Sequence, residues 1–193
     1  FRRVLFRSNL YTCKNSSGEF SIKTLKINNR YYFGNHFTAL VNGNGVNNLS
    51  SYTNLEHFEA HGCNFTPATV MSYMPTENIK YIDLCDQNMT ASGSAPTVSG
   101  IANLETFIFS DQAIWAGALT ITNCPKIEKV DASGNAAMTK LLIQNAPVIL
   151  PENIDITGDV ALAELGLNNM NLPSRNFDYS AITGISGEGM ALN

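Results

Sequence analysis

Four segments of the chain repeat one arrangement of apolar and polar positions. They are Leu55-Glu-His-Phe-Glu-Ala-His-Gly-Cys-Asn-Phe65, Ile79-Lys-Tyr-Ile-Asp-Leu-Cys-Asp-Gln-Asn-Met89, Leu104-Glu-Thr-Phe-Ile-Phe-Ser-Asp-Gln-Ala-Ile114 and Ile127-Glu-Lys-Val-Asp-Ala-Ser-Gly-Asn-Ala-Ala137. Each carries apolar residues at its positions 1, 4, 6 and 11, with Cys, Gln or Asn at position 9. The starts at 55, 79, 104 and 127 lie 24, 25 and 23 residues apart. A fixed period in this range is the mark of a stacked repeat architecture. Alternation around positions 4 and 6 sends those side chains inward and positions 3, 5 and 7 to solvent, the period of a β-strand and not of a helix.

A second series falls between the first. It comprises Ala116 with Leu119 and Ile121, Met138 with Leu141 and Ile143, and Leu162 with Leu165 and Leu167. Each repeat of about 23 residues therefore contains two short extended segments, one from each series. Weaker members of the first series are read at Pro151, with Ile154 and Ile156, and at Ser174, with Phe177 and Tyr179. One such strand cannot bury its own apolar face, and stacking neighbours about 4.8 Å apart completes both the core and the backbone pairing. The predicted fold is a mainly β repeat protein, a solenoid of parallel strands. The position-9 amides Gln87, Gln112 and Asn135 stand where the chain leaves the strand, and are expected to bond backbone groups that the turn leaves unpaired.

The spacing L-x-x-L-x-L-x-x-N-x-L resembles that of leucine-rich repeats. The stretch Leu119-Thr-Ile-Thr-Asn-Cys-Pro-Lys-Ile-Glu-Lys-Val-Asp-Ala-Ser-Gly-Asn-Ala-Ala-Met138 is similar to the two-strand repeat of bacterial secreted and surface leucine-rich-repeat proteins, those of gut and oral Bacteroidetes in particular. The resemblance covers roughly residues 50–175, with departures at Ala60, Ala132, Phe58, Phe107 and Cys63. It implies a leucine-rich-repeat solenoid, a place in the secreted or cell-surface compartment, and a binding or adhesion role toward a protein or carbohydrate ligand. The expected state is a monomer.

Residues 51–193 are assigned to the repeat array and 9–50 to an N-terminal capping or divergent repeat region. In the latter, Ile22, Leu25 and Ile27 suit an early repeat, and Tyr31, Tyr32, Phe33 and Phe37 suit an end cap. Arg2-Arg-Val-Leu-Phe-Arg-Ser8 reads as the in-frame translation of a sequencing adapter, so residues 1–8 are set aside as a scar and the natural chain is expected to begin near Asn9.

Composition narrows the function. With 12 Lys and Arg against 16 Asp and Glu, the net charge of −4 leaves no basic excess to neutralise phosphates, so nucleic acid is not an expected partner. No apolar run approaches the ~20 residues of a membrane helix. The three histidines, His36, His57 and His61, belong to no metalloprotease motif, and there is no nucleophile elbow or phosphate loop. Gly93-Ser-Ala-Pro-Thr-Val-Ser-Gly100 reads as a loop between repeats. No enzymatic activity and no cofactor are assigned. Of the four cysteines, Cys13, Cys63, Cys85 and Cys124, none forms a C-x-x-C pair. Cys63 and Cys124 are read as buried thiols acting as small hydrophobes, and disulfides are not expected. The sequons at Asn15, Asn48, Asn64 and Asn88 are attributed to an Asn-rich composition.

The functional candidates are the outward rows of the first series. They run His57, Tyr81, Thr106, Lys129; then Glu59, Asp83, Ile108, Asp131; then His61, Cys85, Ser110, Ser133. A mixed face of this kind suits a protein or glycan partner. Trp115 lies at its edge or plugs the core, the core being favoured. His57, Glu59 and His61 alternate along one strand beside Tyr81, Asp83 and Cys85, a set of donors that suits zinc or another divalent ion; the competing reading is a solvated polar face. Two rival roles are a spacer arm carrying a neighbouring catalytic or anchoring domain, and a trimeric receptor-binding β-solenoid, which would lack the position-9 amides.

The assigned register makes a direct forecast. Leu104→Ala, Ile121→Ala and Leu165→Ala should each cost about 2–5 kcal/mol through cavity formation, whereas Lys129→Ala should stay within about 0.5 kcal/mol. Denaturant melts giving equal effects at both classes would refute that register.

Overall fold

A computed structural model describes residues 21–28, 49–170, 179–184 and 191–192 of the 193-residue chain. The chain winds as a parallel β-solenoid of about five turns with about 24 residues per turn. The first series forms one sheet from β1 (Thr24–Asn28), β2 (His57–His61), β3 (Tyr81–Asp83), β5 (Thr106–Ile108), β7 (Lys129–Asp131) and β9 (Ile154–Asp155), in that spatial order. The second series forms the other from β4 (Thr97–Ser99), β6 (Ala118–Thr122), β8 (Lys140–Gln144), β10 (Glu164–Asn168) and β11 (Ala191–Leu192). All pairings are parallel, and equivalent positions of successive turns sit side by side: Phe58, Ile82, Phe107, Val130 and Ile154 form one inward row. That row is fully buried, as are Leu119, Ile121, Leu141, Ile143 and Leu165 opposite it. No helix among the described residues is long and apolar enough to cross a membrane.

The early repeat expected at Ile22, Leu25 and Ile27 is β1, paired in register with β2. Tyr31, Tyr32, Phe33 and Phe37, the adapter-like residues 1–8 and Cys13 lie outside the described residues.

Four sequence expectations need correction. First, the segment read as a loop at 93–100 contains β4, with Val98 buried and aligned to Ile121. That register puts Pro96, also buried, opposite Leu119, and a proline at an inward position disguises the strand. Second, one short helix, α1 (Pro67–Ser72), takes the place of a second-series strand. Pro67 supplies a pre-set φ at its first turn, Val70 and Met71 are buried, and the helix packs on β4, covering an edge that would otherwise offer unpaired backbone groups. Third, the core residue that follows position 9 slips by one in two copies: Trp115 and Met138 are buried, while Ile114 is 60% exposed and Ala137 half-buried. The indole stacks edge-on against Phe109 at 5.1 Å and donates to the Gly93 carbonyl at 2.8 Å. Its ring lies so close over Gly117 that a Cβ there would meet it at 2.3 Å. Fourth, the last first-series rung is set by the bridge Asp155 to Thr183, which makes Ile182 the buried position-4 residue; Ser174 and Phe177 are outside the described residues. The weaker copy at Pro151 is confirmed through Ile154 and Ile156, with Ile149 buried ahead of the half-buried proline.

The position-9 side chains form a continuous buried ladder. The carbonyl oxygens of Gln87, Gln112 and Asn135 accept the backbone N–H of Phe65, Gln87 and Gln112 in the preceding turn, at 3.0, 3.1 and 2.8 Å. Their amino groups donate to the preceding position-6 carbonyls of Ala60, Leu84 and Phe109. Each also donates to a carbonyl of its own turn, Cys85, Ser110 and Ala132 respectively. Cys63, expected to be buried, is half-buried and does the donor part of this work with sulfur, its thiol donating to the Ile27 and His61 carbonyls at 3.3 and 3.2 Å, so it is a ladder member and not merely a small hydrophobe. Cys124 is fully buried, as expected, and Cys63, Cys85 and Cys124 are free thiols.

Positions beside the ladder have left-handed backbone. Gly62, Asp86, Asp111, Gly134 and Gly158 at position 8 all have φ between 51° and 85°. The second series matches them with Gly100, Asn123, Asn145 and Asn169. Gly, Asn and Asp accept this conformation most readily, and the sequon residues Asn64 and Asn88 adopt it too, at φ 54° and 55°.

Asp159 ends the ladder with the wrong group. Its Oδ1 accepts the Asn135 N–H at 2.8 Å, and Oδ2, in the role an amide nitrogen fills elsewhere, is buried without a hydrogen-bond partner among the described residues. Burial raises its pKa to about 8 against the Asn135 hydrogen bond, with the Asp155 and Asp131 charges adding to the rise. Because the folded value lies above the ordinary 3.8, the folded chain holds a proton that the unfolded chain releases, and stability falls as pH climbs from about 4 to 8. Asp159→Asn should therefore stabilise the fold by about 1–3 kcal/mol near pH 9, with a gain that shrinks toward pH 4 in urea melts; a pH-independent gain would contradict the assignment.

Candidate functional site

The outer face of the first sheet carries the rows in the register read from the repeats: His57 beside Tyr81, Thr106 and Lys129, and Glu59 beside Asp83, Ile108 and Asp131. Parallel in-register stacking forces this, because every β-strand side chain meets its equivalent on the next rung. The rows also extend onto residues that the repeat alignment left out. Lys26 on β1 precedes Glu59, and Asp155 on β9 follows Asp131. The signal for Lys26 was available in the Leu25 and Ile27 alternation.

The face is not uniform. Seven groups gather where β1, β2 and β3 adjoin. The His57 and Tyr81 rings stack at 4.0 Å with planes 3° apart. Glu59 Oε2 receives Lys26 Nζ at 2.6 Å and lies 3.3 Å from His57 Nε2, and Glu59 Oε1 lies 3.6 Å from His61 Nε2. His61 Nε2 is 2.6 Å from Asp83 Oδ2, which also accepts from the Tyr81 hydroxyl at 3.4 Å. Ligand atoms of His61, Asp83 and Cys85 all lie within 4.8 Å of one another. Thr106 and Ile108 are half-buried on the following rung, and Lys129 (exposed) and Asp131 (half-buried) lie one rung beyond that, apart from the cluster.

Two expectations about this face change. Glu59 and Asp83 are only 9% and 4% exposed, so the carboxylates are not freely solvated; neighbouring side chains cover them. Asp83 and Asp131 also serve their own backbone. Asp83 Oδ1 accepts the Cys85 N–H at 3.0 Å and Asp131 Oδ1 accepts the Ser133 N–H at 3.1 Å, as Asp155 does for Thr157 at 2.9 Å. This local closure ties down the N–H two residues on.

The electrostatics follow from that crowding. Burial opposes the charge on Glu59, but the Lys26 and His57 hydrogen bonds outweigh it and hold the carboxyl below its usual range. Burial, followed by the Asp83 and Glu59 charges, pushes the Tyr81 hydroxyl up to about 12. Burial, followed by the Asp83 charge and hydrogen bond, pushes the Cys85 thiol up to about 12 as well. The cluster is thus a concentration of acidic groups, balanced on one side by Lys26.

No family model, curated protein or solved structure matches the chain. The site is therefore read from its own chemistry.

A depressed Glu59 value means that its ion pair adds stability in full above the ordinary 4.5 and loses it as pH falls through the lower folded value. Lys26→Met should move the Glu59 titration upward in carbon-13 carboxyl NMR. A titration unchanged by that substitution would remove Lys26 as its partner.

Proposed function

We propose that the chain is a non-catalytic binding module of the leucine-rich-repeat type, part of a secreted or cell-surface bacterial protein, whose first sheet engages a protein or glycan partner. The observation that carries this reading is the chemically mixed outer face held in fixed columns: the His57–Tyr81 stack, the Glu59 and Asp83 carboxylates, Thr106, Ile108, Lys129 and Asp131. A face whose backbone is fixed on both sides of every rung loses little conformational entropy when a partner lands on it, which favours affinity. Aromatic, aliphatic and charged groups side by side are the mixture that recognition surfaces use. The L-x-x-L-x-L-x-x-N spacing supports the family, and with it the surface or secreted location and the monomeric state.

The test is a screen of the 193-residue chain against a glycan array and a panel of extracellular proteins. A ligand should emerge whose affinity drops at least tenfold, about 1.4 kcal/mol, in Tyr81→Ala or Lys129→Glu and stays unchanged in Val160→Ser, which alters a residue 86% exposed outside both sheets. Ligand binding indifferent to both face substitutions would overturn the reading, and a screen with no ligand would favour the spacer arm.

A further inference from the structure

We propose that His61, Asp83 and Cys85, joined by Glu59, form a binding site for a divalent transition-metal ion of the zinc type on the outer face of the first sheet. The proposal stands independently of the partner-binding reading.

Geometry is the first support. Strand register sets Glu59 directly beside Asp83, and the pairing continues past β3 through the Gly62 N–H to the Cys85 carbonyl at 3.2 Å, which brings Cys85 alongside His61. Tetrahedral zinc with bonds of about 2.0–2.3 Å keeps its donors roughly 3.3–3.8 Å apart. The three donor atoms already lie within 4.8 Å of one another, and Glu59 Oε1 is 3.6 Å from His61 Nε2. An ion needs only to part the 2.6 Å contact of His61 with Asp83 and draw in the thiol. His61 is half-exposed, which leaves a way in from solvent.

Charge is the second support. Carboxylates placed directly opposite each other on neighbouring strands repel, and Glu59 and Asp83 do so while almost wholly buried. Lys26 answers Glu59 alone, at Oε2. Among the described residues, Asp83 faces the His61 ring, the Tyr81 hydroxyl and the Cys85 N–H. A dication among Glu59 Oε1, His61 Nε2, Asp83 Oδ2 and Cys85 Sγ would offset the charge of both carboxylates.

The donor set then selects the metal. Calcium and magnesium take oxygen ligands, whereas imidazole and thiolate beside carboxylate suit zinc and its neighbours. A supporting layer is also in place, since His57 and Lys26 hold the other oxygen of Glu59, and the Cys85 N–H holds the other oxygen of Asp83.

Zinc titration calorimetry of the full chain against a competing chelator, paired with an optical cobalt titration, tests the site. One ion per chain is expected, with a rise in Tm on zinc addition and a thiolate-to-cobalt absorption band. His61→Ala and Cys85→Ser should each weaken binding at least tenfold, and Cys85→Ser should abolish the band, while Cys124→Ser leaves both intact. Circular dichroism checks that each variant keeps its fold. Absence of saturable zinc binding by the unaltered chain, or binding that survives both His61→Ala and Cys85→Ser, would overturn the proposal.

Discussion

The solenoid depends on one requirement: at each turn the chain must leave a strand while its backbone N–H and C=O groups are still buried. A buried group of this kind costs about 1–3 kcal/mol if left unpaired, and a stack of turns multiplies that cost. The position-9 side chains meet it from inside. Each amide accepts an N–H from the turn before and donates to carbonyls of both turns, so Gln87, Gln112 and Asn135 fasten successive rungs at the point where strand pairing stops. Length is adjusted locally: the shorter Asn135 reaches the Ala132 carbonyl, one residue nearer the strand's start than the Cys85 and Ser110 carbonyls that the two glutamines reach. The left-handed residues at position 8 are the companion of this ladder, since the chain can aim position 9 into the core only by reversing its twist first.

What could be read from the chain beforehand follows from the same logic. Rows such as His57, Tyr81, Thr106 and Lys129 were legible because parallel in-register stacking converts sequence period directly into spatial neighbours. The ladder was legible for the amides and illegible for its two disguised members. A thiol at Cys63 and an acid at Asp159 do not announce themselves as hydrogen-bond equivalents of Gln, although both stand at the ladder position of their turns. β4 escaped notice because one of its two inward side chains is Pro96, a residue that argues against a strand interior. α1 escaped for a related reason, as six residues are too few to display a helical stripe. The slip from Ile114 to Trp115 has a third cause: spacing cannot tell which of two adjacent apolar residues turns inward, and here the larger ring found the space beside Phe109.

The cluster on the outer face is a by-product of stacking that sequence chemistry made specific. In a parallel solenoid like lies beside like, so a carboxylate at position 5 of one turn meets whatever stands at position 5 of the next. Most turns avoid conflict there: Asp83 is followed by Ile108, and Ile108 by Asp131. Among the described residues, two neighbouring position-5 pairs are doubly acidic, Glu59 with Asp83 and Asp131 with Asp155. The second pair is half-buried and each acid holds an N–H of its own turn. The first pair is nearly covered and surrounded by two imidazoles, a lysine, a phenol and a thiol. The same strand register therefore gives an ordinary polar rung in one place and a crowded set of donor atoms in another, and the difference lies in the side chains.

Ladder and cluster are also mechanically joined. Cys85 presents its carbonyl to the Gln87 amide inside the coil and its N–H to the Asp83 carboxylate outside it. His61 stands in the equivalent place one turn earlier, with its carbonyl accepting from the Cys63 thiol. Both outward donors are thus anchored through the peptide groups that the inner ladder secures, one by an amide and one by a sulfur. A side chain on a free loop would have to be ordered before it could act, whereas these two are positioned by bonds that exist for the sake of the fold. The constraint that closes each turn from within is what holds the His61, Asp83 and Cys85 donors within reach of one another on the surface.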